Sequence, residues 1–574
     1  MSRLSKKSPS VCTDCPLSNS EIYRKICLMR QILSSSFGPK GRLKQLHNNV
    51  GGHVITTSTS SVLLQAVPSS EPLLKLITAS ILNHVSRFSD CGLFTGILCF
   101  SLIHQARESG LRGSVAIEVY RQILGMCTSY LNQEDCSCKV KIDYTSSQSL
   151  VTLAHTVISS KPACMLTERE LQHVSTLTVQ AFVLSVPCNS PGKVCLGRTV
   201  TVPIEGQPVL DSVVFPGLLV EAPEMLSLTN VDKLSVGLRL VLFNVSLSGD
   251  LAGLGEGTVE LQPGADPESD VLEQLLKLGE QAVKENVVVF ACQKVIHPVL
   301  QHYLRRHNVV VIERLGVTQV EPILQMTGAQ PVSTFYCPIP PGAYGQVKGV
   351  TVKQFGSKQM LHLLPVGESV VCTMVLCHRN ETMLSELRVA CGKAERVLRL
   401  TLREPSALLG GGCTETHLAA HIRHKVHTSP QSLEGGAESA GAVGCSQAEY
   451  LLGTRAFCCS LESVARALEH EGGECLIDLS HAHRWTVPRD EATRGGWGGV
   501  ASACGCGLLE NRLGLDWTPL TCRYLEFPPA GVSRTSTAKP RLLDSFTAKL
   551  NALQVAVETA NLVLDIRYII QDVN

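Results

Sequence analysis

Cysteine and histidine are the residue types in this chain best suited to holding a metal, so their spacing comes first. There are 24 cysteines and 18 histidines. Zinc takes thiolate and imidazole ligands in tetrahedral sets, which in sequence usually arrive as closely spaced pairs. Cys12-Thr13-Asp14-Cys15 has zinc-knuckle spacing but no second pair nearby. Cys136-Ser137-Cys138, the adjacent Cys458 and Cys459, and Cys504-Gly505-Cys506 fit that geometry poorly. No zinc is expected, and the thiols read as small buried hydrophobes. His417, His421, His424 and His427 form a second set. His417 and His421 would share a helix face, but no HExxH motif is present and Arg423 and Lys425 are interleaved. A solvated basic helix end is the expectation.

The 574 residues are enough for several buried cores, and 44% hydrophobic against 18% charged residues excludes global disorder. A net charge of +1 gives no basic excess, so nucleic-acid binding is not expected. No run of apolar residues is long enough for a membrane span, and no apolar segment follows the polar, basic start. Neither membrane insertion nor secretion is expected, which points to a reducing, cytoplasmic setting.

Periodicity gives the elements. Ser18 and Glu21 suggest a capping box ahead of Ile22, Ile26, Met29 and Leu33, which recur at helical spacing. That helix stops at Ser34-Ser35-Ser36 and enters Gly38-Pro39-Lys40-Gly41. A Gly51-Gly52 turn and a strand at Val54-Ile55-Thr56 follow. Pro72 opens a second helix, and a nearly all-apolar third runs from Phe94 to His104, as a core helix does. In the middle, strands 287–292 and 309–312 alternate with helices 270–283, 298–306 and 321–326, the pattern of a parallel or mixed α/β domain. A long helix returns over 384–402 before Gly410-Gly411-Gly412, and the chain closes on a helix over 548–570. Segments 429–447, 488–507 and 528–540 read as mobile surface loops. The order helical, α/β, helical describes a middle domain inserted into a base.

These residues carry a family likeness. Phe37 to Leu46, Val54-Ile55-Thr56, Leu409 to Glu415 and the terminal helix over 556–570 resemble, in order and spacing, the group II (t-complex type) chaperonins. Cys292-Gln293 after a strand and Met326-Thr327-Gly328 after a helix are similar to that family's apical domain. Gly38 to His47, Phe88 to Leu93, Cys292 to Pro298 and Leu408 to His417 bring the likeness closer to a divergent branch, the McKusick–Kaufman/Bardet–Biedl chaperonin-like proteins of vertebrates. The resemblance implies a multidomain α and α/β fold. Residues 1–139 and 406–574 would form a helical equatorial domain, 140–208 and 368–405 a small intermediate domain, and 209–367 an α/β apical domain.

It also implies a vestigial nucleotide site. Gly38, Pro39, Lys40, Gly41, Gly410, Gly411 and Gly412 match the family's Gly-rich loops, where small residues let backbone approach phosphate. Asp90 matches a magnesium-site aspartate. The family's Gly-Asp-Gly-Thr-Thr phosphate loop reads Ser89-Asp90-Cys91-Gly92-Leu93 here, and a carboxylate position has become Ser58. Lys393 stands where the catalytic aspartate is expected. No catalytic residue is therefore expected, so the chain should not be an ATPase. ATP could still bind, whereas Mg2+ is not expected to be held. The resemblance further implies an assembly factor for the BBSome, a ciliary trafficking coat. Its partners would be other Bardet–Biedl chaperonin-like proteins, the cytosolic group II chaperonin and BBSome subunits. It would reside in the cytoplasm and at the centrosome and basal body, and would form no homo-oligomeric ring. The alternatives are an ATP-hydrolysing chaperonin subunit and a centrosomal scaffold.

Overall fold

The computed structural model describes residues 11–47, 54–66, 71–187, 196–222, 233–249, 267–368, 371–428, 444–492, 499–511, 514–520 and 539–571, with a few isolated positions between them. The Gly51-Gly52 turn, most of 429–447 and most of 528–540 lie outside the described residues. The chain divides into two compact units, 1–176 with 385–574, and 177–384.

The first unit is built around the helix Gly92–Glu108. Thirteen of its residues are buried, from Gly92 to Ala106, so it has no solvent face for most of its length. Helices Ser20–Ser34, Pro72–Phe88, Gln447–Arg466 and Phe546–Asp565 surround it. Ile22, Ile26, Met29 and Leu33 are the buried stripe of the first of these, as their spacing predicts. Its cap differs from expectation. The helix begins one residue later, and the Asn19 side chain accepts from the backbone N–H groups of Glu21 and Ile22 at 2.8 and 3.3 Å. Pro16 to Ser18 forms a separate 3-10 turn that takes Ser18 out of the capping position.

Two further differences concern the end of the chain. The last helix stops at Asp565, and Tyr568–Gln571 pairs antiparallel with Val11–Asp14 as a strand. The β-branched run Ile569-Ile570 suits an extended backbone once a partner strand is there to bond it. The segment 488–507 is at the surface only in part: Pro488 to Asp490 and Trp497 are exposed, whereas its far end is not. Val500, Cys504 and Cys506 are buried with Trp485 and Leu509 in one apolar cluster.

The second unit carries a mixed six-stranded sheet in the order Val310–Ile312, Val287–Cys292, Lys233–Phe243, Gly345–Phe355, Lys358–Leu364, Leu218–Glu221. The first three strands are parallel and the rest antiparallel. Leu275, Leu278, Leu300 and Leu304 from helices Pro267–Lys284 and Pro298–Arg306 pack with Phe243 and Phe290 in one core. Ile323 of helix Val317–Thr327 packs with Leu240, Val289 and Leu361 in another. A sheet with cores of this kind reads as continuous apolar strands, which is why 287–292 was legible in sequence. Among the described residues, no helix is long and apolar enough to cross a membrane.

Candidate functional site

A cavity of about 120 Å³ opens in the first unit where its loops converge. That is below the ~300–1,000 Å³ of most ligand clefts. Of the residues singled out from sequence, Gly38, Pro39, Asp90, Lys393, Gly411 and Gly412 line it. Lys40, Gly41, Gly410 and Ser58 do not. Lys40 points to solvent and pairs with Glu471 at 2.5 Å, while the Gly41 N–H closes the turn on the Gly38 carbonyl at 3.0 Å. Gly410 donates its N–H to the Leu542 carbonyl.

The glycine loop needs its glycines. Gly411 has φ +64°, and a Cβ there would lie 2.1 Å from the Gly505 carbonyl oxygen, so backbone packs directly on backbone. The phosphate-loop positions are different. Ser89 and Cys91 hold φ +63° and +59°, left-handed values that cost an ordinary residue roughly 1–2 kcal/mol. The turn has kept a glycine conformation without glycine. Cys91 lines the cavity and places a side chain beside Asp90.

Ser58 is buried at the turn from strand Val54–Thr57 into helix Ser60–Ala66. This turn is braced by a carboxylate from elsewhere. Glu386 accepts from Thr57 Oγ1 at 2.7 Å, Thr59 Oγ1 at 3.2 Å and the Ser58 N–H at 3.4 Å.

The electrostatics decide what the cavity can do. Lys393 and Lys161 both line it. Burial, then the neighbouring Lys161, push the Lys393 ammonium down to about 7, against the pull of Asp90 and Glu386. On the other side, Lys549 sits between Glu415 and Asp544, 2.8 Å from the Asp544 carboxylate. Its Nζ lies 4.3 Å from the Phe94 ring centroid. Burial alone would lower the Lys549 ammonium, but Asp544 and Glu415 outweigh it and hold it above the ordinary lysine value. Burial raises the Asp544 carboxyl, with Lys549 opposing. Two of the three lining carboxylates are thus taken by an internal cation. The third, Asp90, shares the cavity with Lys161 and Lys393. Mg2+ demands several oxygens in octahedral array, and this donor set does not fit it. An anion suits the two lysines better.

Sequence reasoning did not single out Lys161, Glu386, Asp544 or Lys549 as site residues. A signal exists for Lys549, the one basic residue of helix Phe546–Asp565, with Asp544 five residues before it. The histidine reading is corrected in part. His417 is fully buried, its Nε2 2.9 Å from the Tyr130 hydroxyl and its Nδ1 2.8 Å from the His481 carbonyl. His421 is buried too and stacks on Tyr130 at 3.8 Å between ring centroids. Burial depresses both to about 4. They are neutral core residues rather than a solvated helix end. A further cluster, Cys413, His483, Cys504 and Cys506, comes together out of elements distant in sequence.

The profile of the TCP-1/cpn60 chaperonin family matches residues 29–574. The chain is 46% identical to the human protein "Molecular chaperone MKKS" and 45% identical to its mouse counterpart, over the full length of both chains in each case. It is 22% identical to the thermosome subunit alpha of Saccharolobus solfataricus, covering 79% of this chain and 80% of that one. The archaeal match places the likeness on the group II side of the family, as the glycine loops and the helical and α/β units do. The chain belongs to the TCP-1/cpn60 chaperonin family.

Proposed function

We propose that this chain is a chaperonin-like assembly factor that holds client subunits without an ATP-hydrolysis cycle. The observation that carries the reading is Lys393 on the cavity wall beside Lys161. Hydrolysis in this family calls for a carboxylate that orients the attacking water and for oxygens that hold the metal. An amine stands at the first of these positions, and Lys549 occupies two of the acids that could serve the second. Retention of Gly38, Asp90, Gly411 and Gly412 at the wall keeps nucleotide binding separate from turnover in this proposal.

Relatives named as molecular chaperones support a chaperone role. Exposed Val295, Val299, Val317 and Tyr336 in the second unit give apolar surface of the kind a non-native chain would meet. On this reading the clients are BBSome subunits, and the partners are other Bardet–Biedl chaperonin-like proteins and the cytosolic chaperonin. The protein would act in the cytoplasm and at the centrosome and basal body, as a monomer or hetero-complex member. Crosslinked capture from ciliated cells tests this. Coat subunits recovered together with the cytosolic chaperonin are expected. Structural centrosome proteins alone would overturn assembly in favour of a scaffold, and a stable homo-oligomeric ring by light scattering would overturn the monomer.

One observation favours a second reading. An amine that titrates near 7 is in the range where a general base works. Neutral Lys393 would then accept the water proton, and the chain would be an ATP-hydrolysing subunit. Activity rising with pH and lost in Lys393→Met would mark that case.

A further inference from the structure

Cys413 is the first residue of the helix Cys413–Thr428, directly after the glycine loop. His483 lies in the turn between strands Glu474–Asp478 and Arg484–Val487. Cys504 and Cys506 sit on the loop that packs beneath Gly411. Their ligand atoms all fall within 4.8 Å of one another, and all four residues are buried. The Cys504 and Cys506 sulfurs are 3.4 Å apart, and His483 Nδ1 lies 3.5 Å from one and 3.7 Å from the other. A tetrahedron with Zn–S near 2.3 Å and Zn–N near 2.0–2.1 Å has edges of about 3.8 Å for S···S and about 3.5 Å for S···N. The three spacings among Cys504, Cys506 and His483 match those edges to within about 0.4 Å, and Cys413 Sγ lies within 4.8 Å of each of the other ligand atoms.

We propose that Cys413, His483, Cys504 and Cys506 bind a structural zinc ion that clasps the glycine loop of the cleft. Three independent features point to a cation. First, backbone N–H groups donate to two of the sulfurs, from Cys506 to Cys413 at 3.3 Å and from Leu509 to Cys504 at 3.2 Å, which favours thiolate over thiol. Second, His483 is 1% exposed and turns its Nδ1 to the sulfurs, 3.5 Å from Cys504 and 3.7 Å from Cys506, where a metal is a far stronger partner for a buried imidazole nitrogen than a thiol. Third, three thiolates, a neutral imidazole and Zn2+ carry one net negative charge. Arg484, the next residue, is a buried guanidinium with an unpartnered Nε.

The turn that presents His483 is itself fixed. Asp478 accepts from the His483 N–H at 2.8 Å and from Trp485 Nε1 at 3.1 Å. Four protein ligands leave no open coordination position, so the ion is structural rather than catalytic. It joins the start of helix Cys413–Thr428, a hairpin turn and the 504–506 loop. Gly410 to Gly412 would stay in place with the cleft empty. The proposal departs from the expectation drawn from local spacing, which sees Cys504 and Cys506 but not the two ligands that folding brings to them.

The test uses the full-length chain, expressed with zinc in the medium and purified without chelators or a metal-binding tag. Elemental analysis is expected to find about one zinc per chain. Zinc-edge X-ray absorption on that wild-type protein is expected to show three sulfurs and one nitrogen. Cys413→Ser with Cys506→Ser should lower the zinc content at least tenfold, and Cys12→Ser with Cys15→Ser should leave it unchanged. The wild-type spectrum decides the matter even if the first pair of substitutions prevents folding. Zinc below about 0.1 per chain, a coordination shell without three sulfurs, or a Cys504–Cys506 disulfide in the native protein would overturn the proposal.

Discussion

Lys393 and Lys161 face one cavity, and the charge of Lys161 is among the causes that lower the Lys393 ammonium to about 7. A lysine with that folded value and an unfolded value of about 10.4 binds fewer protons in the native state between the two. Stability contributed through this group therefore rises with pH across that window. The cost is full below about 7 and is gone above about 10.4. Lys393→Met should stabilise the protein by on the order of 1–3 kcal/mol near neutral pH, with the advantage shrinking toward pH 10. Denaturant titrations of both proteins at several pH values measure this. A pH-independent difference would contradict it.

Ser89 and Cys91 hold left-handed backbone that glycine would adopt freely. Ser89→Gly should raise stability by about 0.5–1 kcal/mol, because relief of strain exceeds the added entropy of the unfolded chain and the loss of a weak 3.3 Å bond from Arg396 to Ser89 Oγ. A thermal scan showing a lower midpoint would contradict this.

Lys549 compensates two carboxylates, of which Glu415 is 2% exposed. Lys549→Met should destabilise by about 3–5 kcal/mol, since it strands charge in the core. Because its folded value is raised, the contribution of Lys549 is present throughout the neutral range and is lost only as alkaline pH passes that value. Chemical denaturation near neutral pH checks the magnitude.

Glu386 accepts from both Thr57 Oγ1 and Thr59 Oγ1 at the strand-to-helix turn. Glu386→Ala leaves buried donors without partners and should cost about 2–3 kcal/mol, against about 1 kcal/mol for Glu386→Gln, which keeps an acceptor. Hydrogen exchange at residues 57–60 should accelerate more in the alanine variant.

The helical stripe of Ile22, Ile26, Met29 and Leu33 and the buried strand over 287–292 were legible because both signals are local periodicities. The glycine loops were legible because Gly411 meets backbone that no other residue tolerates. The rest depends on partners far away in the chain. Tyr568–Gln571 becomes a strand only beside Val11–Asp14. Asn19 displaces Ser18 as the cap because a proline turn intervenes. Glu386 reaches a turn that sequence places hundreds of positions earlier. Cys413 and His483 carry no spacing signature toward Cys504 and Cys506, since folding alone makes them neighbours.

The central claim is that the cleft does not turn over ATP, and phosphate release by the purified full-length chain with Mg2+ and ATP tests it most directly. Measured across about pH 6 to 8.5, release should stay at the protein-free level throughout. Release that climbs as pH passes about 7 and disappears in Lys393→Met would show the amine acting as a base, and would contradict the account.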